Sequence, residues 1–349
     1  MKSPFRPAQG MQMVDNPVSS PDAQLRVYCT LFDSNYLLKG AVMIESLHRV
    51  APRAIVYVLC MDALAIDLLQ TLSLPGVRLI RLEDVEDDDL RRVKRSRSTA
   101  EYCWTLSAAL CWYVMNDSTD AGSVTYLDAD LMFFSSVEPL FDEMGDASIS
   151  ITEHRYPPEL DHLSVYGRFN VQWVVFRRDA TGLACLARWR AQCIEWCFAR
   201  LEDGRLGDQK YLEEWPGRYG SAVNIVSHPG AGVAPWNVFA SRMTRAQDGG
   251  ILVNGARLVF YHFHQFQLLA DGRVDAMPPL YSKLGPIPTE IYAPYEEALQ
   301  AMLARIRVIR PGFDRGLRSS KLVFTRRLVR RFVPMYVKNL LRRIGVQPW

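Results

Sequence analysis

Asp128 and Asp130, separated by one alanine and placed directly after the apolar run 123–127, form a pair suited to holding a hard divalent cation. In an extended chain, residues two apart point to the same side, so both carboxylates can face one ligand while Ala129 turns away. Paired carboxylates suit Mg²⁺ or Mn²⁺, and such a cation can neutralise charge on a diphosphate leaving group. Two acids spaced this way also occur as solvated loop residues. Their place between an apolar strand and Leu131-Met132-Phe133-Phe134 favours a site, because ligands of open parallel sheets gather at the carboxyl ends of strands.

The surrounding pattern supplies such a sheet. Residues 25–31 and 54–60 are apolar runs of strand length, and residues 36–48 between them carry apolar side chains at helical spacing. A short helix over 64–72, a strand over 77–80 and a longer helix over 99–115 follow, with a charged stretch at 83–97 that reads as solvated surface. Strands at 147–152 and 171–177 and a helix over 181–200 continue the series. The alternation predicts an α/β protein with a mostly parallel, Rossmann-like sheet flanked by helices.

With 349 residues, 49% of them hydrophobic and 23% charged, the chain can bury a large core. One catalytic domain over 25–300 is expected, after a disordered, proline-dotted tail over 1–24 and before a basic segment over 301–349. Seven cysteines lie mostly in apolar runs without the short spacings of a zinc site or disulfide framework, and read as buried free thiols of a cytoplasmic protein. Neither a secretory leader nor an apolar run of spanning length is evident. Residues 305–349 hold 13 Lys and Arg against the single acid Asp314, so the rest of the chain, with 28 basic and 37 acidic residues, is net −9. In 322–333 apolar pairs alternate with arginine pairs, which predicts an amphipathic helix lying on an anionic membrane or on the body of the protein. Charge confined to one tail, without a reader motif, argues against nucleic acid as a partner.

Four more segments accompany the acids in a fixed order. They are Phe32-Asp33-Ser34-Asn35-Tyr36, Phe169-Asn170-Val171, Gly207-Asp208-Gln209-Lys210-Tyr211-Leu212 and His228-Pro229-Gly230-Ala231-Gly232-Val233-Ala234-Pro235-Trp236-Asn237. With Tyr126-Leu127-Asp128-Ala129-Asp130-Leu131, and over roughly residues 25–265, they resemble the nucleotide-diphosphate-sugar transferases of the GT-A fold. The similarity is greatest to the retaining glycosyltransferase family 8, which includes glycogenin and bacterial lipooligosaccharide galactosyltransferases.

The resemblance implies a nucleotide-sugar donor, a UDP-sugar by preference, a glycan or lipid-linked glycan acceptor, and Mn²⁺ or Mg²⁺ as cofactor. It implies Asp128, Asp130 and His228 as metal ligands. Asp33 would bind the base edge and Tyr36 stack on it, with Thr30, Asn35, Asp128, Gly230, Trp236 and Asn237 completing the donor site. Asn170, Asp208 and Gln209 would surround the reacting sugar, Gln209 beneath the anomeric carbon. An Asn or Ser at Asn35 or Ser34, and the Asp at Asp208, also make ordinary helix caps.

Three positions depart from the family pattern. Gln172 stands where a glycine is usual, Ala234 where a lysine holds the diphosphate, and Trp104 or Thr105 where an arginine binds the donor. Lys210, Arg242 or the metal itself would then carry the missing charge, and Glu153-His154-Arg155 the missing donor contact. His262 and His264, alternating within residues 260–266, would share a face of a strand and offer a second route to a metal. A metal-dependent nucleotidyltransferase or a non-catalytic scaffold of the same fold are the competing readings. The first would be expected to carry a glycine-rich basic loop after the first strand, which residues 32–36 do not form.

Overall fold

A computed structural model describes residues 25–118 and 121–319. The expected tail at 1–24 and the arginine-paired stretch at 320–349 lie outside the described residues. The first half runs β1 (Val27–Phe32), α1 (Leu37–Val50), β2 (Ile55–Cys60), α2 (Ala63–Leu72), β3 (Val77–Arg81), α3 (Leu82–Val85), α4 (Asp88–Lys94), α5 (Thr99–Asp117), β4 (Ser123–Leu127), β5 (Leu131–Phe133) and α6 (Glu138–Met144). The second half continues with β6 (Ile149–Glu153), β7 (Phe169–Arg177), α7 (Ala180–Glu195), α8 (Trp215–Tyr219), β8 (Val223–Ile225) and β9 (Met243–Arg245). Then come β10 (Ile251–Val253), β11 (Ala256–Arg257), β12 (Phe260–His262), β13 (Gln267–Leu268), β14 (Val274–Asp275) and α9 (Thr289–Ile309).

Seven strands form the central sheet in the order β3-β2-β1-β4-β7-β6-β8. β3, β2, β1 and β4 pair in parallel, β7 runs antiparallel to both its neighbours, and β6 pairs in parallel with β8. The mostly parallel sheet flanked by helices, expected from the sequence, is therefore present. Its strands read as unbroken apolar runs because both faces are covered. Tyr28 and Phe32 of β1 join a core that includes α1, α2 and α9, whereas Val27, Cys29 and Leu31 join the core built with α5 and α7.

Two segments differ from expectation. Residues 83–97 are not all solvated surface: α3 and α4 bury Val85 and Leu90 against α5 and its neighbours, so the charges decorate two short packed helices. α7 ends at Glu195 rather than near 200, and Trp196 leaves the helix in extended conformation while staying buried. The boundary drawn at 300 falls inside α9, whose Tyr292, Tyr295, Leu299, Met302, Leu303 and Ile306 are buried. All seven cysteines are free thiols, six of them buried. Among the described residues, no helix is long and apolar enough to cross a membrane.

Candidate active site

β4 carries the chain to the edge of the sheet, and the Asp128 N–H there donates to the carbonyl of Gln172 on β7 at 3.3 Å. The chain turns through Asp130 into β5, which pairs antiparallel with β12 so that Leu131 lies opposite His262. The Phe263 N–H closes the corner by donating to the Asp130 carbonyl at 2.9 Å. This pairing swings His262 over the two acids. Its Nε2 lies 3.1 Å from an Asp130 oxygen and 3.9 Å from an Asp128 oxygen. One ligand atom from each of Asp128, Asp130 and His262 falls within 4.8 Å of the other two.

The electrostatics are those of a site short of positive charge. Burial, with repulsion from Asp130, pushes the Asp128 carboxyl up to about 6 even though His262 opposes the shift. Asp130 goes the other way: burial is outweighed by the His262 imidazole and by the Lys39 ammonium 3.8 Å away, which hold it well below the carboxylate range. His262 is itself raised, because the two acids outweigh the cost of burying its charge. Two carboxylates and an imidazole converging at this range are a hard-to-borderline donor set that fits Mn²⁺ or Mg²⁺.

A second layer orients the histidine. His262 Nδ1 lies 3.0 Å from the side-chain oxygen of Gln172, which can only accept, so Nδ1 carries the proton and Nε2 is the nitrogen turned to the acids. The Gln172 amide nitrogen reaches Thr152 at 3.4 Å. Gly232, at φ +63°, passes so close to this amide that a Cβ would sit 3.2 Å from it, and a left-handed glycine keeps the space open. Gln172 is thus a fully buried positioning residue and not merely a lost glycine. Gln172→Leu is expected to weaken Mn²⁺ binding by about 10- to 100-fold, the usual cost of losing such a partner. Calorimetric titration checks this, and an unchanged affinity would show that His262 is held without it.

The other expected residues divide into two groups. Asp33 accepts from the backbone N–H groups of Asn35 and Tyr36 at 3.0 and 3.1 Å and from the Asn35 amide at 2.8 Å, so its carboxylate stiffens the loop before α1. Tyr36 remains 46% exposed, with the Lys39 ammonium 4.6 Å from its ring centre. Asp208 is buried near Asp128; burial and that neighbouring charge raise it to about 7. Asn170 bridges the N–H of Gln172 at 2.9 Å and His154 at 3.0 Å, and Gln209 donates to the carbonyl of Tyr166 at 2.9 Å.

His228, expected as a ligand, lies apart from the group formed by Asp128, Asp130 and His262. Its N–H is held by Glu143 at 3.1 Å and its Nδ1 accepts from Gly230 at 3.1 Å, so the imidazole caps its own loop. Thr30, Gly230, Trp236 and Asn237 also turn out to be interior positions. Thr30 is fully enclosed in β1, and a Cβ on Gly230 would strike the Arg257 carbonyl. Asn237 spends its amide on the His154 and Gly232 carbonyls and the Ala234 N–H at 2.8 to 2.9 Å. Trp236, 2% exposed, packs against His154, His262 and His264 with ring centres 5.1 to 5.5 Å apart, bracing His262. Lys210 pairs with Glu213 at 2.8 Å, and Arg155 binds the carbonyls of His228 and Ala231.

Sequence reasoning passed over Lys39. A lysine among Leu37, Leu38, Gly40, Ala41 and Val42 was a signal, since an ammonium rarely enters an apolar helix face without a counter-charge.

Over 294 residues the chain is 32% identical to the uncharacterized protein YfnD of Bacillus subtilis, covering 83% of this chain and 93% of YfnD. The chain belongs to the YfnD family. YfnF of the same organism is a further relative of this YfnD-family chain, 26% identical over 82% of the chain and 96% of YfnF. No family model matches. Among solved structures, the galactosyltransferase LgtC in complex with donor and acceptor sugar analogs aligns over 79% of the chain and 95% of its own length, with 15% identity and a TM-score of 0.46. Mouse xyloside xylosyltransferase 1 aligns over 69% of the chain and 98% of its own length, with 14% identity and a TM-score of 0.43.

Proposed function

We propose that this protein is a glycosyltransferase that moves a sugar from a nucleoside-diphosphate-sugar donor, a UDP-sugar by preference, to a glycan or lipid-linked glycan. The observation that carries the reading is the Asp128, Asp130 and His262 cluster at the carboxyl end of β4, where a parallel sheet presents its ligands. A cation bound there would supply charge neutralisation for the departing diphosphate. The chain's own residues do the rest. Tyr36 offers an exposed ring to a base, and Asp33 holds the loop that presents it. Asp208, raised to about 7 by burial and the Asp128 charge, exchanges a proton near neutral pH and can donate or accept at a sugar hydroxyl.

Asn170 and Gln209 complete the sugar side in this reading, and transfer with retained anomeric configuration extends it; NMR of the product linkage decides that step, an inverted linkage rejecting it. The exposed ring of Trp104 lies against Gly207, and an acceptor sugar can lay its apolar C–H face on it. The basic segment 305–349 would bring the enzyme to an anionic lipid surface. Deleting residues 320–349 should then release it from anionic liposomes, and unchanged binding would discard that part.

The whole reading is tested by a panel of nucleotide-sugars with Mn²⁺ or Mg²⁺, scored by melting temperature and by sugar release without acceptor. Cation-dependent stabilisation by at least one donor, with slow hydrolysis of it, is the expected result. Nucleotide-sugar formation from a triphosphate would favour a nucleotidyltransferase, and binding without turnover would favour a scaffold.

A further inference from the structure

The segment after α9 does not leave the body. Phe313 is buried, and Gly316, at φ +76°, packs so tightly on the loop before α1 that a Cβ would lie 2.1 Å from the Asn35 carbonyl oxygen. The amide of Gln267 holds the Gly316 carbonyl, while residue 318 is tied through its backbone: its N–H donates to Leu268 at 3.2 Å and its carbonyl accepts from Ala270 at 3.0 Å. These bonds hold residues 313–318 as a strap packed against Asn35, in the loop proposed for the nucleotide.

The strap delivers the Arg318 side chain, which is exposed and has no ion pair among the described residues. Its charge lies close enough to act on both Tyr36 and Lys39. Lys39, in turn, sits 3.8 Å from Asp130. Two cations at one rim of a metal site would ordinarily repel. Such an arrangement makes sense if an anion comes between them. The charge balance agrees: a divalent cation offsets Asp128 and Asp130, leaving the two negative charges of a diphosphate diester to be met. Residues 230–237, at the back of the site, contain no Lys or Arg.

We infer that Arg318, carried in by the strap, and Lys39 together grip the diphosphate of the donor, Arg318 at the solvent side and Lys39 at the metal side. This rests on the sugar-transfer reading and assigns a contact within it. A guanidinium can bridge two phosphate oxygens in a way an ammonium cannot.

The experiment compares Arg318→Ala, Arg318→Lys and Arg318→Glu with the full-length wild type. Because the strap is anchored through the backbone at 318, these side-chain changes leave it docked, and an unchanged melting temperature without ligand verifies this. The probes are the nucleoside, its monophosphate and its diphosphate with Mg²⁺, for whichever of uridine, thymidine, cytidine, guanosine and adenosine the wild type prefers. Arg318→Ala should weaken the diphosphate by about 10- to 100-fold, the range of a hydrogen bond to a charged group, and leave the nucleoside unchanged. Arg318→Glu should lose more, and Arg318→Lys should keep part of the affinity. Equal diphosphate affinity in the wild type and Arg318→Ala overturns the inference alone, as does an equal loss for nucleoside and diphosphate. A wild type that binds none of the five diphosphates overturns both this assignment and the sugar-transfer reading.

Discussion

Asp128→Asn and Asp130→Asn should each lower cation-dependent sugar release by about 1,000-fold or more, yet move stability in opposite directions. The kinetic loss follows from the several kcal/mol that a bound cation supplies when charge builds on a leaving group, each 1.36 kcal/mol being tenfold in rate. The stability contrast follows from their surroundings. Asp128, pushed up to about 6, is an acid the folded chain holds ionised against its own preference, so the amide removes a repulsion and the melting temperature should hold or rise. Asp130 is the partner of both Lys39 and His262, and its loss leaves two buried cationic groups without their shared counter-charge. A cost of about 3 to 5 kcal/mol is typical of such a loss. Full activity in both variants, with chelator making no difference, would end the metal-dependent reading.

The second large effect separates the two candidate histidines. His262→Ala should abolish the stabilisation that Mn²⁺ gives the wild type, because it removes one of three ligands and the only one on β12. His228→Ala should leave that stabilisation within about twofold in cation affinity, since His228 turns its Nδ1 to Gly230 and not to the acids. The alanine at 228 will still loosen the 228–231 turn, so thermal stability without cation should fall by about 1 kcal/mol, the value of one hydrogen bond. The reverse outcome, with cation response lost at 228 and kept at 262, would return the ligand set to the one the sequence pattern suggested.

That difference shows where the sequence was readable. Asp128 and Asp130 could be placed because local rules suffice: an apolar strand, a two-residue period and the end of a parallel sheet are all visible within ten residues. The strands and most helices were legible for the same reason. His262 was visible only as one of two alternating histidines, since its approach to Asp130 depends on β5 pairing with β12, two strands 131 positions apart at Leu131 and His262. No local period reports such a pairing. His228 was implied by the resemblance of its loop to the family pattern, and the loop's glycines here serve close packing on the Arg257 carbonyl and beside the Gln172 amide. Gln172 read as a defect for a related reason: its value comes from His262 and Thr152, neither of them its neighbour in sequence. Charged segments were the hardest to read. Residues 83–97 hide two apolar anchors among many charges, and the strap at 313–318 has no periodicity at all.

The joining of β5 to β12 also sets an order of events during synthesis. The acid pair leaves the ribosome well over a hundred residues before its imidazole partner, and until the later strand arrives the carboxylates have no fixed third donor. In the proposed site, firm capture of a cation would therefore require the second half of the chain to have docked, and a chain ending before Phe260 is expected to bind the ion more weakly.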